Sequence, residues 1–102
     1  LFLADPVMDA ESVAKVFAAP DATAVLEECT DAYAALADWD HVTLKAVLED
    51  IANAHGLKLG KAQAPVRVAV TGRTVGPPLF ESLEVLGRDE TLRRMRAQLE
   101  RG

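Results

Sequence analysis

The run Pro65-Val66-Arg67-Val68-Ala69-Val70-Thr71-Gly72 decides the fold class. Val66, Val68 and Val70 are β-branched and alternate with other residues, so the run taken alone reads as a short strand. The rest of the chain offers no second strand-like segment, and an unpaired strand is not a stable object. The run is therefore read as part of a short helix over about residues 61–70, started before Pro65 and ended by Gly72. With that reading the chain becomes all-α, a compact bundle of about five to six short helices.

The segments on either side support this. Residues 1–8 read as a linker or the tail of a preceding element, with Pro6 opposing a helix, and residues 9–102 as one helical domain. Asp9 caps a short helix over about 10–18 whose apolar face is Val13, Val16 and Phe17. A second helix is expected over about 20–38, with Val25, Leu26, Cys29, Tyr33 and Leu36 on one stripe, followed by Trp39 as an anchor in the turn. Thr43 is expected to cap a third helix over about 44–55, stopped by Gly56. Beyond Gly72, residues 71–77 form a turn and Pro77-Pro78 start a helix over about 78–86. Asp89 is expected to cap the last helix, 89–101, with Arg93, Arg94, Arg96 and Arg101 around its outside.

A chain of 102 residues is one domain or a piece of one. It begins without Met, which suggests that it was cut from something longer. Half of the residues are apolar but few are aromatic, so the core must be built of Ala, Val and Leu. No apolar run approaches the length of a membrane span, and Leu1-Phe2-Leu3-Ala4 lacks the basic leader of a signal peptide. The single Cys29 excludes an internal disulfide and a cysteine zinc site, and makes the cytoplasm the expected compartment.

The net charge of −5 conceals an asymmetry. Residues 1–55 carry two cations and eleven acids, whereas residues 56–102 carry nine cations and five acids. Between Lys58 and Phe80 there are four cations, Lys58, Lys61, Arg67 and Arg73, and no acid, together with three prolines and three glycines. A stiffened cationic turn between helices suits an anionic partner, although on charge alone two solvated helices of different surface charge are the favoured explanation. Catalysis finds no support. Thr71-Gly72-Arg73-Thr74 lacks the order of a phosphate loop, His41 and His55 lack metal-ligand spacing, and Asp40, Glu49 and Asp50 read as solvated charges.

The blocks Lys58-Leu59-Gly60-Lys61, Pro65 to Gly72, Pro77-Pro78-Leu79-Phe80-Glu81 and Leu86-Gly87 resemble, in order, the C-terminal anticodon-binding domain of bacterial glutamyl-tRNA synthetases. The likeness is close over about residues 42–101 and looser before. It implies an all-helical module that reads the anticodon loop of glutamate tRNA. The parent would be a monomeric, cytoplasmic class I ligase joining glutamate to tRNA, with ATP and magnesium confined to a catalytic domain whose signatures this chain lacks. Carried across, Arg67 matches the arginine of the family's Pro-x-Arg block, and Gly76, Pro77 and Leu79 match the turn that approaches the bases. Gly76 departs from the Ser or Thr often found there. Lys58, Lys61 and Arg73 are expected phosphate contacts. Open alternatives are that Arg67 is solvated or bridges Glu81 or Glu84, that Leu79 is simply core, and that the chain is a protein-interaction module with no RNA role.

Overall fold

The computed structural model describes residues 9–74 and 76–101, so the expected linker over 1–8 and part of the turn at Val75 lie outside the described residues. Six helices follow one another: α1 (Ala10–Phe17), α2 (Ala22–Ala34), α3 (His41–Ala54), α4 (Leu59–Thr71), α5 (Leu79–Leu86) and α6 (Arg88–Arg101). The ambiguous run is helical, and α4 is the central element, packed against α1, α2, α3 and α6. Its valines explain their own strand-like pattern. Pro65, Val66, Val68, Ala69 and Val70 are all buried, so the helix is apolar around most of its circumference rather than along one stripe.

The caps correct several expected boundaries. Helix α2 is shorter than the expected 20–38, because residues 35–40 leave the helix to make a corner held from outside. Within that corner the Trp39 indole donates to the Leu83 carbonyl at 2.9 Å, and Arg88 donates to the Leu36 carbonyl while stacking over the Trp39 ring. Helix α3 begins at His41, not after Thr43, since Asp40 is the better cap: its carboxylate accepts the Thr43 N–H at 2.8 Å. Gly56, in the left-handed region at φ 67°, ends α3, and the Leu57 N–H closes back on the Ala52 carbonyl. Helix α6 starts at Arg88, with the Gly87 carbonyl accepting from Thr91, so Asp89 sits inside the first turn rather than capping it.

The core joins Val25, Leu26, Cys29 and Tyr33 of α2 to Leu44 and Leu48 of α3, Val66 of α4, Leu83 of α5 and Met95 of α6. Burial pushes the Cys29 thiol up to about 12 and the Tyr33 hydroxyl far above its usual value, so neither ionises; Tyr33 donates to the Leu44 carbonyl at 2.8 Å. Arg94 is a second correction. It was expected on the outside of α6, yet it is only 6% exposed, bonding Glu90 and the Val70 carbonyl and so tying α6 to the end of α4. Bonds from Arg93 and Arg94 hold the Glu90 carboxyl down to about 2. One buried side-chain polar atom among the described residues, the Thr91 hydroxyl, has no partner.

Both histidines brace α3. His41 bonds the Glu84 carboxylate of α5 at 2.9 Å, and His55 bonds Glu28 of α2 at 2.6 Å with Asp21 nearby at 3.7 Å. Each is raised above its ordinary 6.5, first by the carboxylate hydrogen bond. A raised folded value means that folding takes up protons, so this stabilisation is complete below 6.5 and is lost as pH rises through the folded values. Glu84 is depressed by the same His41 bond, so its contribution is present above 4.5 and is lost on acidification.

Two stability measurements follow from this packing. Thr91→Val removes an orphaned hydroxyl at constant shape and should raise the unfolding free energy by about 1 kcal/mol in urea titrations. The urea midpoint should fall between about pH 6 and about pH 8, and a His41→Gln, His55→Gln variant should flatten that slope. An unchanged slope in the variant would show that other groups set it.

Candidate nucleic-acid interface

Because α4 is covered by four neighbours, beyond its first turn, where Lys61 is exposed, it reaches the surface along one narrow stripe. Gly60, Gln63, Ala64 and Arg67 lie at helical spacing along that stripe, and with Thr74 and Gly76 they line a groove of about 330 Å³. Two constraints fix the groove's far wall. Gly72, at φ 79°, reverses the chain at the end of α4 and donates to the Val68 carbonyl at 2.8 Å. The Thr71 hydroxyl lies 2.7 Å from the Arg67 carbonyl and 3.2 Å from that of Arg73, and accepts the Arg73 N–H, binding the turn to the helix it leaves.

The guanidinium of Arg67 crosses this groove. Its Nη1 donates to the Pro77 carbonyl at 2.7 Å, a bond at the surface rather than in the core. Arg67 therefore bridges neither Glu81 nor Glu84; Glu84 is engaged by His41. A Cβ placed on Gly76 would sit 3.5 Å from the same nitrogen, in ordinary van der Waals contact with the guanidinium. Pro77 and Pro78 are exposed, and Pro78 precedes α5 with its carbonyl accepting from both the Ser82 N–H and the Ser82 hydroxyl.

Of the residues named from the sequence, Arg67, Gly76 and Pro77 come together. Leu79 does not join them: it is 3% exposed and belongs to the core, leaving its side chain no free face. Arg73 is exposed in the turn after Gly72. Lys58 and Lys61 are exposed at the opposite end of α4, roughly two turns or more from Arg67. The sequence reading missed Gln63, Ala64 and Thr74 as lining residues and Thr71 as the clamp. Once α4 is accepted as a helix, stepping by three and four from Gly60 to Arg67 would have found the first two. Among the described residues no cluster of His, Cys, Asp and Glu could hold a metal ion, and no helix is long and apolar enough to cross a membrane.

Comparison with known proteins matches residues 1–99 to the family model described as the anticodon binding domain. The chain belongs to that family. Over 97 residues this anticodon binding domain is 55% identical to the glutamate–tRNA ligase of Salinispora arenicola, covering 95% of the chain and 20% of the relative. It is 58% identical to that of Streptomyces griseus over 102 residues, covering 97% of the chain and 19% of the relative. Among solved structures it resembles a glutamate tRNA ligase from Elizabethkingia meningosepticum, crystallised with its amino acid, with a TM-score of 0.86 at 28% identity over 97% of the chain. The chain spans about a fifth of the length of these relatives.

Arg67 and Arg94 should separate cleanly in stability. Arg67→Met breaks a surface bond and should cost less than ~1 kcal/mol in thermal or urea unfolding. Arg94→Met empties a buried connection between α4 and α6 and should cost about 2–4 kcal/mol. Equal costs would mean that Arg67 is held for folding rather than for the groove.

Proposed function

We propose that this domain reads the anticodon loop of glutamate tRNA as part of a longer glutamate–tRNA ligase. The parent would activate glutamate with ATP and magnesium in a separate catalytic domain. The chemistry resides there; the present residues bind. The parent would act as a cytoplasmic monomer on this reading; the relatives' names and the shared family support the ligase assignment.

What carries the reading is the Arg67 guanidinium, held beside exposed Gly76 and Pro77 at the one open stripe of α4. Unstacked loop bases offer hydrogen-bonding edges and flat faces, which arginine, backbone groups and apolar side chains can read. With Nη1 committed to Pro77, the remaining guanidinium N–H groups are oriented for a base edge before RNA arrives, which lowers the ordering cost of binding. Arg73, Lys58 and Lys61 supply phosphate contacts that position without specifying. Leu79 contributes by holding the start of α5, and hence the Pro77-Pro78 corner, in place.

Fluorescence anisotropy with an anticodon stem-loop of glutamate tRNA tests this. Binding should weaken as salt is raised, because lysine and arginine contacts release counterions. Arg67→Ala should reduce affinity by about 1–3 kcal/mol, the range of one base contact, and erase the preference among anticodon sequences. Unchanged affinity and preference would remove Arg67 from the site.

A further inference from the structure

Gln63 stands one helical turn before Arg67 on the open stripe of α4, and both line the same groove. Residues four apart on a helix are surface neighbours, with Cβ atoms about 5–6 Å apart. Gln63 is half-buried, yet among the described residues nothing bonds its amide. Resting on the RNA-binding reading above, we propose that Gln63 is a specificity-determining residue of this groove, its amide oxygen accepting an N–H from the base that Arg67 faces.

The groove is short of acceptors. A guanidinium only donates, whereas the pairing edge of every nucleobase carries an N–H beside its acceptors. An edge held by Arg67 alone would leave that N–H desolvated and unpaired, which costs more than the bond itself returns. No acid occurs between Lys58 and Phe80, and of the residues lining the groove only Gln63 and Thr74 have side chains that accept. The Pro77 carbonyl already receives Nη1 of Arg67. Of the two side chains, Gln63 shares α4 with Arg67, so the helix itself sets the spacing of donor and acceptor. Thr74 lies in the turn beyond Gly72. An amide also suits the position better than a carboxylate. An acid four residues from Arg67 would pair with the guanidinium and withdraw it from the ligand, whereas a neutral amide accepts and leaves the positive charge intact.

The test removes one base N–H at a time. Each loop base of the glutamate anticodon stem-loop is replaced in turn by an analogue lacking one pairing-edge N–H. The stem-loops are titrated by anisotropy against the wild-type chain, Gln63→Met, Arg67→Ala and Thr74→Val. Methionine keeps the length of the side chain and removes the amide; Gln63→Ala takes its place if the urea midpoint shows that Gln63→Met does not fold. Gln63→Met should weaken the intact loop about three- to tenfold, the scale of one hydrogen bond. One analogue should cost the wild-type chain the same factor and cost Gln63→Met nothing, at the position where Arg67→Ala loses its base preference. A purely structural role for Gln63 would instead weaken every analogue alike, which overturns the proposal. Affinity and analogue penalties unchanged in Gln63→Met also overturn it, as does a penalty abolished by Thr74→Val instead. Failure of the wild-type chain to bind any stem-loop overturns the RNA reading itself.

Discussion

The burial of α4 on four sides is the constraint from which the rest of the structure follows. A helix containing Pro65 and several β-branched residues is a poor helix by local preference, by about 3 kcal/mol for an interior proline and a few tenths for each valine. Burying Val66, Val68 and Val70 outweighs this, since each fully buried side chain contributes about 1.5–3 kcal/mol. The proline then leaves a carbonyl without its helical donor, and a helix buried elsewhere can present only a single stripe to solvent. The location of the groove is thus a consequence of core packing before any ligand is considered.

The same constraint sorts the charges. Arg94 is consumed by packing, bonding the Val70 carbonyl and Glu90, and Arg88 is consumed by the Trp39 corner. Glu84 and Glu28 are engaged by the two histidines of α3. What remains around α4 and its following turn is Lys58, Lys61, Arg67 and Arg73. A domain of net charge −5 therefore offers a cationic edge where its central helix surfaces. Global charge is a weak guide to a partner when ion pairs within the fold remove so many of the charges from play.

Most of the fold could be read from the chain because glycine and apolar spacing are local signals. Gly56, Gly72 and Gly87 all mark helix ends with positive φ, as only a residue without a side chain does cheaply. One error is local: Asp40 displaced Thr43 as a cap through a bond to the Thr43 N–H three residues on. The others occur where tertiary contact replaced a local rule, as where α2 stopped early because Trp39 and the Arg88 guanidinium hold the corner against α5 and α6. Arg94 looked like a solvated charge because no sequence pattern marks the carbonyl of Val70 as its partner. Arg67 was legible as the cation interrupting an apolar run; its bond to a proline carbonyl ten residues away was not.

That bond also bears on why a proline pair stands in the turn. Arginine loses up to roughly 2 kcal/mol of side-chain freedom when it is fixed. If ligand binding alone fixed it, that cost would be subtracted from every contact the guanidinium made. Here Pro77, with its φ set by the ring, presents a carbonyl at a constrained position, and Arg67 is ordered on it beforehand. Gly76 lies against the guanidinium, where even a Cβ would make only ordinary van der Waals contact with Nη1. Thr71 in turn holds the loop to the last turn of α4, so the carbonyl and the guanidinium are referred to the same rigid helix. The position of one guanidinium is in this way tied, through a proline and a hydroxyl, to the packing of the core.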